Sequence, residues 1–264
     1  MIEKERGNMV SPYEIKKEIC EIGKRMYASG YVMADQGSIS VKAGDNEFFV
    51  TPAGSAKGFL TPEMIVRVDK NGKKLDGRLD PPADIAVHMA VYKQRSDVAA
   101  VIQAYPPTAT GYAAANITMD KFTMPEAVKH LGEVPMCDYS ASETFVSCVA
   151  KHDALILKKH GALTVGASLT KAFFNLETLE FYAKIGLTAN QLNSEQEMSC
   201  EELEKLIDLR HRFQIPGKHT GCQKCKNLGT ANCKCKDNAE DLPGYTGSDL
   251  VSTLTHEVLA ELSK

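Results

Sequence analysis

The first third of the chain alternates short apolar strands with polar turns, and this pattern limits the fold more than any other sequence feature. A strand follows the glycine turn at Gly37 and runs through Val41, and two more strands are predicted at residues 47–51 and 65–69. The Asn71-Gly72 turn after the third strand is typical of tight hairpins. Three short strands joined by polar turns predict an antiparallel sheet.

Amphipathic helices precede these strands and alternate with further strands along the chain. Helices are predicted at residues 12–28, 83–94, 108–115, 140–151, 201–213 and after Ser168, and strands at residues 99–104, 154–157 and 163–165. The helix starts at Ser11, Ser140 and Ser168 carry capping residues, with a glutamate three positions later in the first two. Because the order is not a regular strand–helix–strand alternation, no Rossmann fold is predicted. We predict a three-layer α/β/α fold with a largely antiparallel central sheet.

The composition indicates an ordinary globular protein rather than a nucleic-acid or membrane protein. Of the 264 residues, 43% are apolar and 25% are charged, and the net charge is only -3. This balance gives no basis for binding to nucleic acid or to an anionic membrane surface. No apolar run is long enough to cross a bilayer, and no signal-type segment is recognised near Met1. We therefore expect a cytoplasmic protein in which the four scattered cysteines are reduced thiols.

The composition changes after residue 213, which divides the chain into three parts. Residues 1–213 form the predicted folded domain. Residues 214–247 are rich in Gly, Lys, Asn and Cys and poor in large apolar side chains, so they are predicted to be a linker. Helical periodicity returns in residues 248–264, where Leu250, Val251, Leu254, Val258 and Leu262 share one face.

Five motifs in the first two hundred residues resemble the class II aldolase/adducin family. They are Gly37-Ser38, Thr51-Pro52-Ala53-Gly54, Asp84-x-x-x-His88, the stretch from Val101 to Pro107, and His160-Gly161. The resemblance covers about residues 12–195 and implies an enzyme similar to fuculose-phosphate aldolase. It also implies a divalent metal, usually zinc, a carboxylate that transfers a proton, and a ring-shaped tetramer with active sites between subunits.

The residues at the implied metal site depart from the family pattern. The resemblance places Gln103 and Tyr105 where the family has a His-x-His pair, so that only His160 matches a metal ligand. An amide oxygen binds zinc weakly, and a phenol must first lose a proton whose pKa is about 10. We therefore predict a degenerate metal site with zinc affinity reduced by orders of magnitude. His160 has a plainer alternative role as a hydrogen-bonded residue in a turn.

The implied catalytic and phosphate-binding positions are altered too. Asp84 replaces the family's catalytic glutamate, and Pro82 and Ala83 replace serines that would bind the substrate phosphate. Asp84 could instead be a carboxylate that favours a helix N-terminus. Four residues, Gly37, Ser38, Thr51 and Gly54, are candidates for an anion-binding nest, although turn geometry alone also explains them. A neighbouring subunit could complete the site, and Tyr112, Tyr139 and His130 are considered for that role.

A second metal site is predicted in the linker. Cys222-x-x-Cys225 and Cys233-x-Cys235 bring four thiols within fourteen residues, and zinc is the expected occupant. An iron–sulfur cluster and a disordered linker with redox-reactive cysteines are the alternatives.

The terminal segment 248–264 is similar to the encapsulation peptides that carry enzymes into bacterial microcompartments by docking an apolar helix on a shell or cargo protein. A helix that folds back on its own domain or on a neighbouring subunit is the alternative.

The motifs, the altered site and the Cys cluster together leave three candidate functions. They are an aldolase-like lyase acting on a sugar phosphate or short ketose, a non-catalytic aldolase-fold protein for binding or scaffolding, and a function centred on the Cys cluster.

Overall fold

The computed structural model describes residues 11–119, 121–193 and 196–218, and within them the chain forms eight strands and seven α-helices. The helices are α1 (Pro12–Ala28), α2 (Ile85–Gln94), α3 (Pro107–Ala115), α4 (Pro125–His130), α5 (Glu143–Val149), α6 (Leu169–Gln191) and α7 (Cys200–Arg212). The strands are β1 (Ser38–Gly44), β2 (Glu47–Val50), β3 (Val66–Val68), β4 (Lys74–Asp76), β5 (Ala100–Ala104), β6 (Met136–Cys137), β7 (Ala154–Leu157) and β8 (Gly161–Gly166).

All eight strands belong to one sheet, in the order β4-β3-β2-β1-β5-β8-β7-β6. Every neighbouring pair is antiparallel except β6 and β7, which are parallel. The predicted fold class, an α/β protein with a largely antiparallel central sheet, is confirmed. The strands β1, β5 and β8 lie at the centre of the sheet, and the ends of β1 and β5 carry several of the predicted site residues.

Helices cover both faces of the sheet because the central strands alternate between two buried sides. Ile102 of β5 joins the cluster formed with α1, α3 and α6, whereas Val101 joins the cluster formed with α2 and α5. Burying apolar side chains on both faces contributes roughly 25 cal/mol per Å² of apolar surface, which makes these layers the main source of stability. Gln103, two residues after Val101, lies on the same side of β5 and therefore on the side of the sheet that α2 covers.

Two strands and one α-helix were not predicted from the sequence, and neither were two 3-10 helices of three residues each, Lys57–Phe59 and Pro62–Met64. The strands β4 and β6 have only three and two residues, and they lie at the two edges of the sheet, where little apolar burial marks them. The helix α4 has six residues and is also too short for a clear period. The capping prediction at Ser140 was wrong, because Ser142 is the N-cap of α5 and accepts a hydrogen bond from Phe145 N.

The folded structure continues beyond residue 213 as far as it is described. Ile215 is buried, and the guanidinium of Arg210 donates to Gly217 O at 2.8 Å. Lys218 N donates to a carboxylate oxygen of Asp153 at 3.1 Å. The first residues assigned to the linker therefore pack on the domain. The Cys cluster at residues 222–235 and the terminal segment 248–264 lie outside the described residues.

The turn after β5 is held from three sides, which fixes the position of Tyr105. Tyr105 N donates to Tyr31 O at 2.8 Å, and the buried carboxylate of Glu180 accepts hydrogen bonds from Thr108 N and Ala109 N at the start of α3. Gly161 approaches from β8 with a φ of 76°, and an added Cβ would lie 2.2 Å from Ala104 O. A side chain at residue 161 would push this turn away from β8.

Within the described part of the chain, no helix is both long and apolar enough to cross a membrane.

Candidate active site

A cavity of about 290 Å³ opens where the ends of β1 and β5 meet the turns that follow β2 and precede α2. Its lining combines carboxylates, amides, phenols and one cationic side chain with backbone of the glycine turns. The lining residues are Asp35, Gln36, Gly37, Pro52, Ala53, Gly54, Lys57, Pro82, Ala83, Asp84, Gln103, Tyr105 and Tyr139. Convergent polar groups in one concave site are typical of a pocket for a small polar molecule.

Asp84 lies at the first position before α2 but does not cap that helix with its side chain. Its carboxylate is 15% exposed, and its Oδ2 atom accepts a hydrogen bond of 2.5 Å from Ser38 Oγ on β1. A carboxylate whose only role was to favour the helix N-terminus would bond to the free N–H groups of the first turn. Asp84 instead faces the cavity, as a proton-transfer residue must.

A chain of buried hydrogen bonds continues behind Asp84. His88 follows Asp84 by one helical turn, and its Nε2 atom lies 2.8 Å from Ser38 Oγ. The other ring nitrogen, Nδ1, lies 2.7 Å from Ser40 Oγ, and Ser40 Oγ lies 2.8 Å from the hydroxyl of Tyr92 one turn further along α2. His88 is 1% exposed, and burial lowers the pKa of its imidazole, so the ring is neutral at neutral pH.

Lys57 supplies the positive charge in the cavity. The residue is 1% exposed, and its ammonium donates to Asp35 O at 2.6 Å and to Ser55 O at 2.9 Å. Burial lowers the pKa of Lys57, while the carboxylates of Asp35 and Asp84 oppose that shift. With two of its three N–H groups used by the backbone, one donor remains for an anionic group in the cavity.

Tyr139 lies next to Asp84 in the cavity and stacks on His160. Burial, the negative charge of Asp84 and a hydrogen bond between the phenol and the Asp84 carboxylate raise the pKa of the Tyr139 phenol above its usual range. The phenol therefore keeps its proton and remains a hydrogen-bond donor. The Tyr139 and His160 rings lie 4.4 Å apart between centroids and are tilted by 30°.

The three residues predicted at the metal site lie near one another but do not fit a zinc site. Gln103 donates from Nε2 to His160 O at 2.9 Å, which ties its amide to the backbone of the loop before β8. Tyr105 offers a phenol, and His160 offers an exposed imidazole packed on a tyrosine ring. One imidazole, one amide and one phenol are a poor donor set for zinc. Among the described residues, no group of three or more His, Cys, Asp or Glu side chains is placed to hold a metal.

The four residues predicted to bind an anion divide into two pairs. Gly37 and Gly54 line the cavity, both with positive φ, and an added Cβ at Gly37 would lie 2.9 Å from Gln103 O. Ser38 and Thr51 are buried, with their hydroxyls turned inward. Ser38 bonds to Asp84 and His88, and Thr51 Oγ1 accepts a hydrogen bond from Ile39 N at 3.1 Å.

Among the lining residues that were not predicted as site residues of this chain, Tyr139 and Lys57 bear most on its chemistry. Tyr139 was considered only as a contribution from a neighbouring subunit, yet it lines the cavity of the same chain. Lys57 was missed altogether. Its only sequence signal is a lysine three residues after Gly54, in a segment with no recognised motif. His130 and Tyr112 are absent from the lining of this cavity.

Comparison with known proteins identifies the family. The model of the class II aldolase and adducin N-terminal domain matches residues 17–187. An L-fuculose phosphate aldolase of Methanococcus vannielii is 35% identical over 173 residues, which cover 64% of this chain and 93% of that protein. A 3-oxo-tetronate 4-phosphate decarboxylase of Escherichia coli O6:H1 is 27% identical over 182 residues, which cover 65% of this chain and 85% of the relative.

Solved structures share the fold. An L-fuculose 1-phosphate aldolase structure superposes with a TM-score of 0.69 at 22% identity, covering 79% of this chain and 100% of that one. YgbL from Escherichia coli superposes with a TM-score of 0.66 at 24% identity, covering 75% of this chain and 99% of that one. The domain match spans more than half of the chain and coincides with the central sheet and its cavity. The protein therefore belongs to the class II aldolase and adducin family.

Proposed function

We propose that this protein is a lyase that cleaves a carbon–carbon bond near the carbonyl group of a small sugar phosphate or short ketose. The proposal rests on the position of the Asp84 carboxylate. This carboxylate is 15% exposed and faces a cavity that is also lined by a buried lysine and two phenols. A carboxylate beside donors that can stabilise an oxyanion is the arrangement that proton transfer next to a carbonyl requires.

Asp84 would transfer the proton in either of two related reactions. In an aldol cleavage, its carboxylate accepts the proton of the substrate hydroxyl, the adjacent carbon–carbon bond breaks, and the electron pair remains on the carbonyl half as an enolate. In a decarboxylation of a 3-oxo acid, carbon dioxide leaves and the same kind of enolate forms. In the aldol cleavage the proton held by Asp84 is returned to the carbon, whereas the decarboxylation takes up one proton from solvent, which Asp84 would deliver to the carbon. The two kinds of relative, an aldolase and a decarboxylase by name, support this common step.

The phenols of Tyr105 and Tyr139 would stabilise the enolate oxygen in place of a metal ion. Both line the cavity with Asp84, and the raised pKa of Tyr139 keeps its phenol protonated. Neutral donors fixed in a partly buried site stabilise a developing oxyanion without reorganising when the charge appears. This assignment explains how the site could function although Gln103 and Tyr105 are poor zinc ligands.

Lys57 would bind the anionic group of the substrate. Pro82 and Ala83 line the cavity without side-chain hydroxyls, and the hydroxyls of Ser38 and Thr51 are turned away from it. The remaining N–H of the Lys57 ammonium is thus the strongest donor for a phosphate or carboxylate. Its charge supports a phosphorylated substrate rather than a neutral ketose.

A second candidate is a non-catalytic protein that uses the cavity only for binding. The hydrogen bond from Gln103 to His160 O supports it, because this bond fixes the former ligand position in a structural role. Such a protein would bind a sugar phosphate without converting it, so equilibrium binding without turnover is the result that would favour this candidate.

We further propose a homo-oligomer, with ring-shaped tetramers as the expected state, and delivery to a bacterial microcompartment by residues 248–264. Phe174 and Phe181 are 48% and 55% exposed and lie two turns apart on one face of α6, which supports contact with a second copy.

Fusing residues 248–264 to a fluorescent protein should direct it to microcompartment shells. A matched fusion with Leu254→Glu and Val258→Glu should stay diffuse, and diffuse fluorescence from both would reject the targeting role.

The lyase proposal predicts that Asp84→Asn abolishes turnover of L-fuculose 1-phosphate or 3-oxo-tetronate 4-phosphate. The amide keeps the size of the side chain but cannot accept the proton, so kcat should fall by about 10²- to 10⁴-fold with little change in KM. Release of aldehyde or carbon dioxide is measured. Asp45→Asn is the control and should retain activity, since Asp45 is fully exposed in the turn between β1 and β2 and does not line the cavity. Full activity of Asp84→Asn would contradict the assignment.

The donor set at residues 103, 105 and 160 predicts a gain of zinc binding when imidazoles are restored. In a Cys222→Ser/Cys225→Ser background, Gln103→His/Tyr105→His should raise zinc affinity at least about a hundredfold, measured by isothermal titration calorimetry. Adding His160→Ala should remove the gain.

In the protein that keeps Gln103 and Tyr105, zinc content shows which of the two predicted sites binds the metal. Zinc bound by the full chain should persist in His160→Ala and be lost in Cys222→Ser/Cys225→Ser, if the Cys cluster holds it. Loss of zinc in His160→Ala would show that the cavity binds the metal after all. Unchanged zinc content in the double cysteine variant would reject the Cys cluster as a metal site.

A further inference from the structure

The hydrogen bonds behind Asp84 can be assigned a direction from their geometry. Ser38 Oγ lies between two polar partners, 2.5 Å from Asp84 Oδ2 and 2.8 Å from His88 Nε2. A hydroxyl has one proton to donate. When Asp84 is ionised, its oxygen can only accept, so the short contact requires Ser38 to donate to Asp84. His88 Nε2 must then carry a proton and donate to Ser38.

The directions of the remaining hydrogen bonds, from His88 to Tyr92, follow from the proton on His88 Nε2. A neutral imidazole with a proton on Nε2 has a free lone pair on Nδ1. Ser40 Oγ, at 2.7 Å from Nδ1, must therefore donate its proton to the ring. Tyr92 then donates to Ser40, either to Oγ at 2.8 Å or to the backbone oxygen at 3.0 Å. With these directions, each side-chain polar atom in the hydrogen-bond chain from Asp84 to Tyr92 has a donor or acceptor partner.

The fold makes this chain rigid. Ser38 and Ser40 are alternate residues of β1, so their side chains lie on the same side of the sheet. Asp84, His88 and Tyr92 are spaced by four residues at the start of and along α2, so they lie along one face of the helix. Ser38, Ser40 and His88 are each at most 1% exposed, which leaves little access for water to compete for these bonds.

We propose that Ser38, His88, Ser40 and Tyr92 form a one-directional hydrogen-bond relay that fixes Oδ2 of Asp84 as an acceptor and so orients the carboxylate toward the cavity. These four are positioning residues, because none of them lines the cavity. The proposal rests on the proposed function of Asp84. It also gives Ser38 a different role from the substrate contact predicted from the sequence.

The relay has a consequence for proton movement. The relay ends at the hydroxyl of Tyr92. Because burial raises the pKa of that phenol, Tyr92 keeps its proton, and the relay does not release a proton at its far end. A proton that Asp84 accepts from the substrate therefore stays on the cavity side and is available for return. The relay orients and stabilises the carboxylate, and it is not a path for protons to solvent.

The tautomer of His88 is the decisive measurement, and it does not depend on enzymatic activity. Two-bond ¹H–¹⁵N correlation spectra of the full-length protein at neutral pH should show His88 as a neutral ring protonated on Nε2. Its signals are assigned by their disappearance in His88→Gln. A solvent-protected Nε2 proton should be lost in Ser38→Ala and retained in Ser55→Ala, a serine near the same cavity whose hydroxyl bonds only to Ala53 O. A ring protonated on Nδ1, or an imidazolium, would overturn the proposal.

Kinetics provide the second measurement if turnover is found. His88→Gln keeps an N–H donor near the Nε2 position, whereas His88→Asn places its amide near Nδ1. The first variant should retain kcat, and the second should lose about tenfold in kcat with KM unchanged, the loss expected for one hydrogen bond that leads to a charged group. Equal kcat values in the two variants would overturn the positioning role. An inactive wild-type protein with the Nε2 tautomer would reject the lyase function and leave the relay intact.

Discussion

The hydrogen bond between Ser38 and Asp84 joins the two elements on which the site depends. It links the first residue of a central strand to the residue before α2, and it holds a carboxylate at the mouth of a cavity instead of on its own helix. Hydrogen bonds to ionised groups are roughly twice as strong as neutral ones, and this bond lies almost out of solvent. The cavity, the relay behind it and the assignment of Asp84 as proton-transfer residue all follow from that contact.

The family resemblance predicts imidazoles at residues 103 and 105, where this chain has an amide and a phenol. Imidazoles bind zinc as neutral ligands, whereas an amide and a phenol favour hydrogen bonding. Gln103 uses its amide to fix the loop before β8, and Tyr105 and Tyr139 bring two phenols to the cavity. The proposed step, formation of an enolate beside a carboxylate, is compatible with stabilisation by such donors. The donor set thus favours an altered lyase over a simple loss of function, although a binding protein remains the second candidate.

The fold was largely predictable because its signals are local. Short apolar runs bounded by polar turns identified the central strands, and the capping serines at Ser11 and Ser168 identified the two longest helices. The edge strands β4 and β6 were missed because two or three residues carry no period. Family motifs placed Asp84, Gly37 and Gly54 at one site, and all three line the cavity.

The remaining errors concern side-chain direction and long-range contact. Ser38 was a candidate for an anion-binding nest, with turn geometry as the alternative, and residue alternation in β1 together with the position of His88 on α2 turns its side chain inward. Lys57 and Tyr139 reach the cavity from turns far apart in the sequence, and no local pattern marks such a meeting. A lysine in a polar turn is usually solvated, so only the packing of its stem identifies Lys57 as a buried cation.

We propose that phenols stabilise the enolate where relatives are expected to use a metal, and the Tyr139→Phe variant distinguishes the two cases. Turnover of the accepted sugar phosphate is measured for the wild type and for Tyr139→Phe, each before and after dialysis against a chelator. In Tyr139→Phe, kcat should fall by about 10²- to 10³-fold, the usual loss for one oxyanion donor, and the wild type should stay active after chelation. An active Tyr139→Phe variant, together with a wild-type enzyme inactivated by chelation and restored by zinc, would contradict the proposal.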